Sequence, residues 1–309
     1  MDVRRKPFLI AALLILILLL YVRLRDAQAK AEAEDIYPSS YRFTTFDFPD
    51  ASSTFALGIN DRGQIVGTYV GTGGTSHGFL RSGNNFTTIV DAGEATGINN
   101  LGEIVGWRID SHGFFHGFAV SGESSVQLDV PGATFTVTYG VNDQGESVGY
   151  FNSYDVDGLQ NRGFVASGPR MTTIDVPGAF YTLAAGLNSR GEVVGTYSEN
   201  NGNIVHGFLY LKGNFTTIDV PGAWLTEVNG INDRGQYVGF YVDQTGLHGF
   251  LNRGRFTRFD MPLARATLPY GINNFGQVVG FFTDEKGRSH GFLASPLLSK
   301  ITPNRASGR

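Results

Sequence analysis

The sequence predicts an all-β chain, a six-bladed β-propeller closed by an N-terminal strand, and three observations predict it. Glycine supplies 42 of 309 residues with no Gly-X-Y period, beside 24 Phe and 13 Tyr, a composition of short strands joined by tight turns. One block recurs six times at intervals of 39 to 46 residues, the spacing of four short strands per repeat. The repeats are also out of phase with the chain ends, so that the first and last strands each lack a sequence neighbour to pair with.

The first repeated element runs Gly58-Ile59-Asn60-Asp61-Arg62-Gly63-Gln64-Ile65-Val66-Gly67, with counterparts starting at Gly97, Gly140, Gly186, Gly230 and Gly271. Its Asn-Asp-x-Gly core suits a type I turn followed by a left-handed residue, which glycine supplies without steric penalty. Apolar stretches such as 228–231 and 236–241 flank it, giving hairpin a-b. The repeated asparagine reads as a turn residue capping its own backbone. The second element, His-Gly-Phe, begins at His77, His116, His206, His248 and His290, with Arg162-Gly163-Phe164 in the remaining copy. The third, Phe-Thr-Thr-Ile-Asp-Val-Pro-Gly-Ala, is cleanest at Phe215 to Ala223. Together they make hairpin c-d around Lys212-Gly213, and Pro-Gly ends strand d. Apolar residues fall on both faces of these strands, as for Ile65 beside Val66, which fits sheets covered on two sides.

The repeat region opens with a lone strand d at 41–48 and ends with a lone strand c at 290–294. Pairing them would bring Thr45 beside Phe292 and remove both open edges.

Five histidines at one repeat position raise the question of metal or catalysis, and register answers it. A two-residue turn at Lys212-Gly213 sets His206 across from Asp219, and the same offset pairs His116 with Asp129 and Arg162 with Asp175. A shortened turn pairs His248 with Asp260, and ring closure pairs His290 with Asp47. His77 faces Val90 instead. These residues read as charge-assisted ties between strands c and d, with no metal and no cofactor. Calcium is disfavoured at the a-b turn because a cation, as at Arg62, precedes the glycine and oxygen ligands are few.

The three elements together resemble the HAF-repeat family of extracellular bacterial repeat proteins across about residues 41 to 294. The resemblance implies an exported repeat protein and carries no activity. The polar, basic tail from Ser295 to Arg309 departs from family members that end in a hydrophobic sorting signal.

The N-terminus has a basic start (Arg4, Arg5, Lys6), an apolar run over residues 7–22 and the small-x-small site Ala27-Gln28-Ala29. This is the layout of a signal peptide, cleaved after Ala29 or retained as a membrane anchor helix through 7–22, and both readings stay open. Either way the body is exported, periplasmic or extracellular. The organisation expected is thus 1–29 signal or anchor, 30–40 linker, 41–295 propeller and 296–309 polar tail.

Beyond Ala29 the chain holds 19 basic and 26 acidic residues, a balance of -7 that repels phosphate backbones and argues against nucleic acid. The absence of cysteine excludes disulfides and thiolate metal sites. No GxSxG, HExxH, Walker or Rossmann pattern occurs. The main departures from the repeat are two b-c loops, one with Asp110 and His112, the other with Asp155 and Asp157, which form a candidate ligand rim. Two functions follow. One is a non-enzymatic binding or scaffold module whose rim recognises a polysaccharide or an envelope protein. The alternative is a hydrolase or lyase on an extracellular polysaccharide, which requires Asp110, His112, Asp155 and Asp157 to converge.

Overall fold

A computed structural model describes residues 40–89, 91–155, 158–199 and 204–297, with side chains omitted at 153–155 and 158–159. Within these residues 24 strands form and no helix does. The first blade after the N-terminal strand contains β2 (Ser53–Ile59), β3 (Ile65–Val70), β4 (Ser76–Ser82) and β5 (Asn85–Thr88). The second contains β6 (Glu94–Ile98), β7 (Ile104–Ile109), β8 (Phe115–Ser121) and β9 (Ser124–Gln127). The third contains β10 (Thr136–Val141), β11 (Glu146–Asp155), β12 (Gly158–Ser167) and β13 (Arg170–Ile174).

The next eight strands are β14 (Tyr181–Leu187), β15 (Val193–Glu199), β16 (Ile204–Leu211), β17 (Asn214–Ile218), β18 (Leu225–Ile231), β19 (Tyr237–Asp243), β20 (Gly246–Asn252) and β21 (Phe256–Arg258). The last blade joins β22 (Ala266–Ile272), β23 (Val278–Thr283) and β24 (Ser289–Pro296) to β1 (Tyr41–Phe46). Strand β1 lies antiparallel to β24, with Thr45 opposite Phe292.

The expectation of six separate blades is corrected by this topology. Four sheets are self-contained four-stranded blades, whereas β14 to β21 form one eight-stranded sheet. A single parallel pair, Val205 with Leu225, joins its halves. The expected N-terminal signal or anchor helix lies outside the described residues. Among the described residues no helix is long and apolar enough to cross a membrane.

The repeated motifs explain how the sheets pack. Each His-Gly-Phe or Arg-Gly-Phe phenylalanine is buried, and Phe79, Phe208, Phe250 and Phe292 are completely so. The preceding glycine is needed because the next structure presses on it: a Cβ on Gly207 would lie 2.5 Å from Val228. The glycine that ends the first repeated element, inside strand b, is still more constrained. A Cβ on Gly67 would lie 1.9 Å from the Phe55 carbonyl, where a bulge between Ala56 and Gly58 presses the inner strand against it. Clusters such as Val148, Ile174, Ala184 and Phe208 fill the space between successive sheets.

The innermost strands β2, β6, β10, β14, β18 and β22 touch in a closed circle around the axis. A belt of hydrogen bonds locks it at the a-b turns. Asn60 Oδ1 accepts the backbone N–H groups of Arg62 and Gln64, capping its own turn. Its amide reaches onward to the Asn99 carbonyl at 3.0 Å. Asn99, Asn142, Asn188 and Asn232 repeat the step, and Asn273 returns to the Asn60 carbonyl at 3.1 Å. All six asparagines are buried, so each bond satisfies groups that water cannot reach.

Candidate functional site

Each inner strand has one position, three residues before its Gly-Ile-Asn or equivalent turn, at which the repeats differ in kind. Four repeats place apolar residues there: Phe55, Val137, Leu183 and Leu268. Two place carboxylates, Glu94 on β6 and Glu227 on β18, in repeats that stand opposite one another in the circle. Both side chains are half-buried. Two positions further along stand Tyr139 on β10 and Tyr270 on β22, in another pair of opposed repeats. Tyr139 stacks on Tyr150 with centroids 5.7 Å apart, and Tyr270 on Phe281 at 5.7 Å.

Burial pushes the Glu94 carboxyl up to about 7, opposed only by a hydrogen bond from Trp107. Burial alone pushes Glu227 up to about 7. Tyr139 is raised well above the ordinary phenol value by burial and by the neighbouring Tyr150, Glu94, Tyr270 and Glu227. Tyr150 is pushed up to about 12, chiefly by burial. The two glutamates and two tyrosines thus act on one another's ionisation across the circle of inner strands. At the a-b turns, the asparagine belt encloses a cavity of about 70 Å³. Its acids are engaged, since Asp61 accepts from the amides of Asn100 and Asn274 at 3.1 and 3.0 Å.

The opposite rim carries the histidines. His116 Nδ1 lies 2.7 Å from Asp129, His206 Nδ1 3.0 Å from Asp219, His248 Nδ1 2.9 Å from Asp260 and His290 Nδ1 2.9 Å from Asp47. Arg162 stands 3.5 Å from Asp175. Among the described residues His77 meets no carboxylate, and it bonds Thr75 at 2.9 Å. Several of these rings also lie on aromatic neighbours of strand b, as His206 does on Tyr197 at 5.1 Å. The turn between β16 and β17 has both Lys212 and Gly213 at positive φ, the geometry of a two-residue hairpin. Among the described residues no group of three or more His, Asp or Glu is placed to hold a metal ion.

Of the candidate rim, Asp110 turns inward on its own loop. Its carboxylate accepts the backbone N–H groups of His112 and Phe114 at 2.8 and 2.9 Å and lies 3.4 Å from His116 Nε2. The N–H of Phe114 is the main reason its carboxyl is held down at about 2. His112 is largely exposed. Asp155 pairs through its backbone with Gly158, at the tip of the hairpin β11–β12, and its side chain is not described. Asp157 lies outside the described residues. The b-c loop expected around Asp155 and Asp157 is strand as far as Asp155, because Asn152 to Asp155 continue the β11–β12 ladder opposite Gly158 to Asn161.

The same rim holds a cavity of about 200 Å³ lined by Gln160, Arg162, Asp175 and the Val176–Ala179 segment. Phe180 follows it, 42% exposed, and Trp224 occupies the equivalent place in the next repeat, 41% exposed. Sequence reading singled out neither these aromatics nor Glu94 and Glu227. The available signal was a charge at an inner-strand position where the other repeats are apolar.

No family model matches the chain, and no curated protein matches it. Solved structures do. A variant of Aleuria aurantia lectin in complex with Fucα1-6GlcNAc superposes with a TM-score of 0.51 at 12% identity, over 78% of this chain and 91% of that one. The β-propeller domain of the Trilobed protease from Pyrococcus furiosus does so with 0.52 at 10% identity, over 82% and 86%. At such identity the likeness concerns fold alone. By that likeness and by its circle of inner strands, the chain is a β-propeller.

Proposed function

We propose that the protein is an exported, non-enzymatic carbohydrate-binding module, with its glycan site on the rim of the Pro-Gly-Ala connections. The observation that carries this reading is the 200 Å³ rim cavity, with the exposed ring of Phe180 next in sequence to its lining residue Ala179 and the exposed ring of Trp224 at the equivalent place in the next repeat. Gln160, Arg162 and Asp175 offer an amide, a guanidinium and a carboxylate, planar groups that hydrogen-bond adjacent hydroxyls. Exposed aromatic rings supply flat apolar faces for the C–H side of a sugar. The Aleuria aurantia lectin, seen with Fucα1-6GlcNAc, is a neighbour of the same fold and is in keeping with this use. Export rests on the signal layout of residues 1–29, and the repeat motifs resemble those of the HAF-repeat family. In this reading the His–Asp pairs are ties that hold strands c and d at the rim.

A glycan array probed with the full chain tests the function. Binding of a defined glycan set, weakened at least about tenfold by Trp224→Ala or Gln160→Ala with the melting temperature retained, is the expected result. An array without signal, or variants that bind as the parent does, would overturn it.

A further inference from the structure

We propose that the rim takes an extended, uncharged polysaccharide chain rather than a single terminal sugar, the chain running from the rim cavity over Phe180 and Ile204 to Trp224. This inference rests on the glycan-binding reading above and adds the length and the charge of the ligand.

Strand register sets these residues in one row. Tyr181 pairs with Ser198 and Ser198 with Val205; Val205 in turn lies beside Leu225, and Leu225 opposite Val242. One step outward along the same strands come Phe180, Glu199, Ile204, Trp224 and Asp243. Glu199 and Ile204 are themselves paired. Because β16 and β18 run parallel, Ile204 and Trp224, each just before a residue of the Val205–Leu225 pair, stand side by side. Backbone bonds fix the two rings' positions: the Phe180 N–H donates to the Ser198 carbonyl at 2.7 Å, and the Trp224 N–H to the Val242 carbonyl at 3.1 Å. Residues in one row of a sheet project to the same face. From Phe180 to Trp224 is three strand spacings, about 14 Å, a span of several sugar rings. Phe180, Ile204 and Trp224 are 42%, 41% and 41% exposed, whereas Tyr181, Ser198, Val205 and Val242 one step inward are buried. Apolar surface gathered in this way on a rim marks a place where a ligand lies.

Two features confine the track to these repeats. The residue after each Pro-Gly-Ala segment or its equivalent is Ser52, Gly93, Thr134, Phe180, Trp224 and Arg265 in chain order, so rings occupy it in two consecutive repeats. Those are also the repeats whose sheets join, since among the described residues Val205 with Leu225 is the one backbone pair between successive sheets. That pair gives the row an unbroken floor from β14 to β19. The rim cavity lies at the Phe180 end, where its lining residue Ala179 leads into the row.

The polar groups select the charge of the chain. Glu199 stands exposed within the row, Asp243 ends it beside Trp224, and Asp175 lines the cavity. An anionic polymer would meet all three carboxylates and the balance of -7 beyond Ala29. A cationic polymer is not called for, because two of the acids are engaged: Asp175 stands 3.5 Å from Arg162, and Asp243 accepts the N–H and the hydroxyl of Thr245 at 2.7 and 2.6 Å. A neutral chain suits the whole row, with C–H faces on the rings and Ile204, and hydroxyls donated to Glu199 and Gln160.

The test is titration of the full chain with the disaccharides and hexasaccharides of four neutral series, cellulose, laminarin, mannan and chitin, beside hexamers of galacturonate and of glucosamine. At least one neutral hexasaccharide should bind at least about tenfold tighter than its disaccharide, with an affinity unchanged between about 0.05 and 0.5 M NaCl. Phe180→Ala with Trp224→Ala should bring the ratio of the two affinities close to unity with the melting temperature retained, and Ile204→Thr, which keeps a strand-forming residue, should lower it in the same direction. A hexasaccharide bound no tighter than its disaccharide, a charged hexamer preferred over every neutral one, or a ratio untouched by these variants would overturn the extended site while glycan binding stands. If none of these sugars binds, the extended neutral site falls; if the glycan array is silent as well, the glycan reading falls with it.

Discussion

Replacing Glu227 with glutamine should stabilise the protein at alkaline pH and leave it unchanged in acid. Its carboxyl rises from 4.5 in the unfolded chain to about 7 in the fold because burial disfavours the charge. Below about pH 4.5 both states hold the proton and the group contributes nothing to pH dependence. Between 4.5 and 7 the unfolded chain releases its proton while the folded one retains it, so stability falls as pH rises, and above 7 the loss is complete. At about 1.4 kcal/mol per tenfold change the full rise corresponds to about 3 kcal/mol. Water reaching the half-buried side chain reduces this to about 1 to 2 kcal/mol. Glutamine keeps the shape without the charge. Its melting temperature should therefore exceed the parent's by about 2 to 8 °C at pH 8, and the gap should shrink to nothing near pH 4.5. Thermal unfolding followed by circular dichroism across that range measures it. A gap independent of pH, or a variant less stable at pH 8, would show that the carboxylate is solvated or paired in the fold and refute the reasoning.

Two further outcomes concern the rim. Leu263 takes the left-handed place that Gly132, Gly178 and Gly222 fill in other Pro-Gly-Ala connections, at φ 63° and 83% exposed. Leu263→Gly should thus gain about 1 kcal/mol in chemical denaturation, and a loss would mean the leucine makes contacts that outweigh its backbone strain. His116 is raised above its ordinary value, first by its hydrogen bond with Asp129. That stabilisation is complete below the unfolded histidine value of 6.5 and disappears as pH rises through the higher folded one. His116→Gln should accordingly lower the melting temperature more at pH 5.5 than at pH 9, and an equal loss at both would show that the pair is not charge-assisted.

Local motifs were readable because each residue answers to a near neighbour. In His-Gly-Phe, the histidine faces the carboxylate that the two-residue turn places opposite it, the glycine makes room for the next inner strand, and the phenylalanine fills the space between sheets. The Asn of the a-b turn was read as a cap, which it is, but its amide also reaches a carbonyl 39 to 46 residues away, or 213 where the circle closes. Nothing in a single repeat encodes that second bond. Glu94 and Glu227 escaped notice for a related reason. Both faces of an inner strand are covered, so period-two alternation does not separate the side toward the axis from the side toward the next sheet. The merging of β16 with β18 turns on one backbone pair, finer than strand boundaries can be placed from sequence.

The pairing of β1 with β24 also has a temporal meaning. Strand β1 finds its partner only when β24 has been delivered, with Phe46 and Gly291 separated by nearly the whole domain. Until then Tyr41 lacks the Gly276 carbonyl that its hydroxyl reaches at 2.9 Å, and Asp47 lacks His290. Closing so long a loop adds only a few kcal/mol of entropy but delays the final cooperative step until β24 has been made. Until then β1 keeps an open edge, with backbone groups ready to pair with another strand.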